Sequence, residues 1–222
     1  MPAFPILSPG EESRDLQFRG RNVAAIDEQS CAALSRTTVL LPLTRGVDDI
    51  GPKDNDMQRS FYTIGYQSSR VEDFLAALHL ARVEMLIDVR DVPLSRKRGF
   101  SKTALAAFLE KHGIAYAHLK GLGDPKPGRE AARAGQYDQF RCIFGKHMAT
   151  EVAQRDLGRA VNLIQTRPCC LMCFEQEHSN CHRSIVAHHI VEQTGMRLHH
   201  LSIADLISVH ERPSYPARPA IA

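Results

Sequence analysis

The sequence predicts an α/β sandwich in which a mainly parallel sheet of about five strands lies between layers of helices. Three observations carry this expectation. Short apolar runs alternate with amphipathic helical stretches from Phe61 onward, glycines stand where elements should end, and polar residues cluster just after the apolar runs. Strands that alternate with amphipathic helices are joined by right-handed crossovers and line up in parallel.

The elements follow in order. FYTIG (61–65) reads as a buried strand ending in glycine, and Ser69 to Glu72 has the spacing of a capping box ahead of the helical VEDFLAALHLA. EMLIDV (84–89) is a second strand, closed by Asp88 and Arg90. Ser101 is placed to cap TALAAFLEKH, whose Leu105, Phe108 and Leu109 share a face, and Gly113 stands at a helix stop. IAYAHL (114–119) is the third strand. KGLGDPKPGREAARAG (120–135) is too rich in Gly and Pro to begin as either element, and loops of that length in compact domains are often functional. One or two helices follow across QYDQFRCIFGKHM and DLGRAVNLIQ. CCLMCF (169–174) is the fourth strand, RSIVAHHIVEQ the last crossover helix with Gly195 as its stop, and MRLHHLSI (196–203) the fifth strand. The architecture expected is a Rossmann-like three-layer sandwich.

Residues 1–56 have no sustained period of 2 or 3.6, apart from a proline-broken apolar run at 38–44. They are expected to form a flexible extension, with the α/β domain over 57–208 and a flexible tail over 209–222. No run reaches the roughly 18–20 apolar residues that span a bilayer, and the N-terminus lacks the pattern of a signal peptide. A cytoplasmic protein with no membrane association is expected. Six cysteines without an export signal argue against a disulfide framework and for reduced thiols. Residues 1–56 hold 6 basic and 9 acidic side chains, and residues 57–222 hold 22 and 16. The folded part is therefore basic, which favours an anionic small molecule or nucleic-acid component as partner.

Parallel strands present their C-terminal ends on one edge, where open α/β sheets bind ligands. Gly65-Tyr66, Asp88-Val89-Arg90 and Cys173-Phe174-Glu175 all lie at such ends and are expected to converge. Cys173 or Cys181, beside Arg183 near the start of a helix, has the setting of a thiol of depressed pKa and is a candidate nucleophile. Glu175 and Asp88 are candidate proton carriers, and Glu175 alternatively forms an ion pair with Arg183. Arg90 and Arg183 are candidate anion clamps, with Arg96, Lys97 and Arg98 forming an electropositive rim. Cys173, Cys181 and His182, with Glu175 or His178, suit zinc or iron by residue type. The spacing C-x7-C-H matches no standard structural zinc pattern, so no metal is assigned and the cofactor is left unknown. Cys142, Cys169 and Cys170 are read as core residues, and the pairs His188-His189 and His199-His200 as structural, because neighbours on a helix or strand diverge.

The words YTIGY, LIDVRDVPLSR, GFSKTALAAFLEKHGIAYAHL, LGD and CFEQEHSNCHRSIVAHHI together resemble the family known as domain of unknown function 488, from about Phe61 to Ile203. The resemblance implies an α/β fold and a site, without a reaction. It marks Gly65, Asp88, Arg90, Pro93, Ser95, Phe100, His118, Cys173, Glu175, Cys181, His182 and Arg183. Tyr66 stands where members frequently have histidine, and Asp124 where a second glycine is usual. LIDVR also resembles a rhodanese segment. The expectation drawn is a small enzyme acting on an anionic, nucleotide or nucleic-acid related substrate. Cys173, Glu175, Cys181 and Asp88 would be catalytic, and Arg90, Arg183, Gly65, Tyr66, Ser95 and His182 would bind substrate. The alternatives are a non-catalytic anion or nucleic-acid binding module and rhodanese-like sulfur transfer.

Overall fold

The computed structural model describes residues 60–204; the expected extension, the short apolar run at 38–44 and the tail from 209 onward lie outside them. The described elements are β1 (Ser60–Gly65), α1 (Val71–Leu80), β2 (Met85–Asp88), α2 (Lys102–Glu110), β3 (Ala115–His118), a 3-10 turn (Lys120–Leu122), α3 (Lys126–Arg133), α4 (Tyr137–Met148), α5 (Glu151–Thr166), β4 (Cys169–Cys173), α6 (His182–Thr194) and β5 (Arg197–Leu201). The five strands form one sheet in the order β3-β2-β4-β1-β5, and every pairing is parallel. This is the Rossmann-like α/β architecture that the alternating pattern predicts.

Strand alternation divides the core in two. Phe61 of β1, Met85 and Ile87 of β2, and Cys169, Leu171 and Cys173 of β4 pack with residues of α3 to α6. Tyr62 and Ile64, Leu86, and Cys170 and Met172 point the other way, onto α1 and α2. Strands β1, β2 and β4 are buried along their whole length, so both faces must be apolar, and they read as unbroken hydrophobic runs rather than alternating ones.

Local signals meet the structure with three differences. Ser69 does not close a capping box: its hydroxyl donates to the Tyr66 carbonyl at 3.2 Å, and Arg70 takes the N-cap position of α1. The same carbonyl accepts from the Ser69 N–H at 3.3 Å, so Ser69 closes the bend after β1 rather than the helix. Ser101 is the N-cap of α2, but its Oγ exchanges hydrogen bonds with Ser95, at 3.1 Å each way, instead of capping the helix. Within 120–135 the structure has the 3-10 turn and α3, where a long loop is expected. Pro127 sits in the first turn of α3, where its missing N–H leaves no helical bond unmade. Gly113 and Gly195 follow their helices with φ of +76° and +66°, the left-handed conformation that glycine adopts at little cost.

Candidate metal centre

Strand β4 ends at Cys173, a loop runs from Phe174 to Asn180, and α6 opens with Cys181 as its N-cap and His182 as its first residue. The loop folds back so that four donors meet. The thiols of Cys173 and Cys181 both donate to the same carboxylate oxygen, Oε2 of Glu175, at 3.0 and 3.1 Å. Nδ1 of His182 stands 3.7 Å from the Cys173 sulfur and 4.0 Å from the Cys181 sulfur. All four donor atoms lie within 4.8 Å of one another. Cys173, Cys181 and His182 are buried, whereas Glu175 is half-buried and forms the side of the cluster nearest solvent.

The imidazole is oriented from behind. His182 Nε2 donates to the Val89 carbonyl at 2.8 Å. A carbonyl only accepts, so the proton is fixed on Nε2 and Nδ1 is directed at the sulfurs. Histidine ligands of metals are held in this way by a second hydrogen bond.

The electrostatics differ sharply between the two thiols. Burial pushes Cys173 well above the usual thiol range, and its partners Cys181 and Glu175 add to the rise. Burial would also raise Cys181, but hydrogen bonds from Cys173 and His182 and the nearby His182 and Arg183 charges bring it well below that range. Burial opposes the charge on His182, yet the bond to Cys181 lifts it to about 9. Burial raises Glu175 as well. The lowered thiol, Cys181, is thus the one beside His182, whose charged form is favoured, and a metal ion would take a bond from each.

The donor set tests well for size. Zinc–ligand lengths of about 2.0–2.3 Å place tetrahedral ligands roughly 3.3–3.8 Å apart. Four of the six separations, 3.0, 3.1, 3.7 and 4.0 Å, bracket that range, and the whole set stays within 4.8 Å. Two sulfurs, one imidazole nitrogen and one carboxylate oxygen suit a borderline-soft ion.

Asp88, Arg90, Tyr66, Phe100 and His118, also singled out in the sequence, form a second centre on the opposite face of the sheet. Asp88 pairs in register with Met172, not Cys173, and so faces α1 and α2. Arg90 binds Asp88 with Nη2–Oδ2 at 2.6 Å and Nε–Oδ1 at 2.9 Å, and its Nη1 donates to Tyr66 Oη at 2.7 Å and to the Phe100 carbonyl at 3.0 Å. Tyr116 Oη donates to Asp88 Oδ2 at 2.6 Å, and His118 Nε2 lies 2.8 Å from the Arg90 carbonyl. Tyr66 stacks on Phe100 with ring centroids 4.3 Å apart. Arg90 is buried with its donors engaged. The expected single cleft is thus divided: the strand tips share an edge, but their side chains part to the two faces.

Arg183 does not pair with the Glu175 carboxylate. Its Nη1 donates to the Glu175 carbonyl and its Nη2 to the Gln176 carbonyl at 2.9 Å, so it clasps the loop backbone from a position only 1% exposed. Ser95 organises the turn before α2, with its Oγ accepting from Lys97 N at 3.1 Å, and the Pro93 carbonyl accepts from Lys102 N. His178 is outside the cluster and stacks on His200 at 3.6 Å. Cys169, Cys170, Cys173 and Cys181 are free thiols, and Cys169 and Cys170 lie wholly in the core, whereas Cys142 is half-buried on α4 and disulfide-bonded, against the expectation of a reduced core thiol.

A family model described as Domain of unknown function DUF488 matches residues 70–190, which is more than half of the chain. The chain belongs to the DUF488 family. No curated protein and no solved structure matches it. The DUF488 match covers Asp88 and Arg90 as well as the four donors, so both centres lie inside the family's domain.

Two participants had no place among the candidates. The Val89 carbonyl is a backbone atom and carries no residue-type signal. Asp124 is 5% exposed and its Oδ1 has no hydrogen-bond partner. Burial raises it to about 6, against the charges of His182 and Arg129 that lower it. Its only sequence signal was its departure from a glycine-rich word.

Proposed function

We propose that Cys173, Glu175, Cys181 and His182 bind a divalent transition metal of the zinc class, and that this centre serves a small enzyme taking an anionic substrate at the C-terminal edge of the sheet. The observation that carries the metal reading is the convergence of four donor atoms of three chemical kinds within 4.8 Å, with the imidazole tautomer fixed from behind. When bound, such an ion supplies a Lewis acid or an activated water. The chain's own residues supply the rest: Cys173, Cys181 and His182 form a buried base for the ion, and Glu175 is the donor that an incoming group can reach from solvent. Sulfur transfer through a persulfide is the less supported reading, because both thiols are buried and share their protons with one carboxylate. A closed centre, with Glu175 permanently bound, would make the chain a binding module.

Metal analysis of the purified protein should find about one zinc per chain, as a single site of this ligand set requires. Replacing zinc with Co(II) should give the intense visible bands of a tetrahedral site and sulfur-to-cobalt charge transfer. Both should vanish in the Cys173→Ser/Cys181→Ser protein. A metal-free protein that shows no cobalt spectrum, or a double variant that binds cobalt as well as the parent, would overturn the reading. Glu175→Gln separates the two forms of the centre: retained cobalt with increased water access supports an exchangeable position, and loss of the ion supports a closed one.

A further inference from the structure

The rim beside the metal centre carries an unusual pair of features. Phe174, between two of the proposed ligands, is 41% exposed. Its inner edge is fixed by Tyr66, with ring centroids 5.4 Å apart at 82°, and Tyr66 is itself stacked on Phe100. The ring is thus held rigidly on an aromatic ladder while offering surface to solvent. The loop that leaves β2 is joined to the Phe174 loop through Gln67. Lys97 Nζ donates to the Gln67 carbonyl at 2.7 Å, and the Gln67 side chain accepts from the Gln176 N–H at 3.2 Å. Gln67 therefore ties the basic loop to the loop that carries Phe174 and Glu175. Arg96 and Arg98 are exposed there, and among the described residues neither forms an ion pair.

We propose that this rim binds single-stranded nucleic acid, with a base stacked on Phe174 and phosphates held by Arg96 and Arg98. An exposed aromatic ring on a loop tied to a second loop with exposed arginines is the combination that single strands use, because every base has a flat face and every linkage a charge. A duplex has its base faces already stacked, which leaves Phe174 nothing to cover. An acidic peptide would satisfy the arginines but has no regular flat surface for the ring. The strand would pass Glu175, which supplies a substrate class for the proposed metal centre. In that respect the inference rests on the metal reading; binding of the strand itself does not need the ion.

The test is fluorescence anisotropy with labelled oligonucleotides of about 12 nucleotides, longer than a minimal single-strand site. Zinc-loaded and chelator-treated full-length protein should bind the single strand alike, and more tightly than the corresponding duplex. Phe174→Leu should weaken binding about 5- to 100-fold, the loss expected for one base stack, and Phe174→Trp should preserve it. Arg96→Ala/Arg98→Ala should weaken binding and reduce the slope of log affinity against log salt by about 1.4, or roughly 0.7 per lost phosphate contact. Circular dichroism melting confirms that these surface variants remain folded. The proposal is overturned by no binding at low salt, by equal binding of Phe174→Leu, or by competition from polyglutamate as effective as that from unlabelled oligonucleotide. If cobalt binds normally while the strand does not, the rim inference fails and the metal reading stands; strand binding without a cobalt spectrum gives the reverse.

Discussion

A β-carbon added to Gly65 would stand 1.8 Å from the carbonyl oxygen of Glu175 and 2.7 Å from its carbonyl carbon. Gly65 is the last residue of β1 and pairs in register with Cys173. The absence of a side chain there lets the loop cross the end of the neighbouring strand and bring Glu175 back over the two cysteines. Gly65 thus acts on the site through space left empty. Gly65→Ala should push the loop away, destabilise the fold by about 1–3 kcal/mol, and remove most cobalt binding. Urea unfolding and cobalt titration check the two effects. Full cobalt binding in the alanine variant would show that the loop does not depend on this approach.

On the other face, Arg90 is the group that neutralises a fully buried Asp88. Arg90→Met should destabilise the protein by about 3–5 kcal/mol, because the carboxylate would be left without its charge partner. Asp88→Asn/Arg90→Met should lose less than the single variant, since no buried charge remains. Equilibrium unfolding of the three proteins measures this. An equal loss in the single and double variants would mean that packing, not charge, is what Arg90 contributes.

Arg183 holds the loop by its two terminal nitrogens, so Arg183→Ala should expose the Glu175 and Gln176 carbonyls. The expected cost is about 1–3 kcal/mol, the usual range for buried polar groups left unpaired. Cobalt bands should broaden or weaken in the variant, and added phosphate should not alter the stability difference. Stabilisation of the parent by phosphate but not of the variant would instead mark Arg183 as an anion site.

How much of this was legible in the sequence depended on the kind of signal. Strands β1, β2 and β4 were visible because strands buried on both faces are unbroken apolar runs. Helix α3 was hidden by Pro127 and Gly128 in its first turn. A β-carbon at Gly128 would come within 2.0 Å of the Asp124 Oδ1 as that side chain now stands, a contact made only in the folded chain. The four residues were visible by type, but their convergence was not, because they come from a strand end, a loop and a helix start that only the folded chain brings together. The division between faces follows from the period of two along β4 together with the Asp88–Met172 register, and register is a long-range property that no local pattern records.

His200 offers a pH test away from the proposed ligands. Its Nδ1 lies 2.6 Å from Thr63 Oγ1 and its ring stacks on His178 at 7°. Burial lowers it to about 4, the His178, Arg183 and His188 charges add to the fall, and Glu177 opposes it. Its folded value is below that of the unfolded chain, about 6.5. Between those values the unfolded chain binds a proton that the folded one does not, so stability falls as pH drops from 6.5 toward 4. His200→Gln should flatten that part of the curve. Urea midpoints at pH 7.5 and 5, compared for the two proteins, provide the measurement; identical drops would assign the acid sensitivity to other groups.

The alternation that sends Cys173 to one side of the sheet and Asp88 to the other has a genetic consequence. Changes in the two centres should be nearly additive, because their side chains share no partner. The two sides meet at the Val89 peptide, which gives its carbonyl to His182 while its neighbours Asp88 and Arg90 lock together behind it, and at Phe174, whose ring packs on the Tyr66 that binds Arg90. Either side can therefore diversify while the other keeps its geometry, as long as that peptide stays in place. A double-mutant cycle between Arg90 and His182 would read whatever crosses the wall.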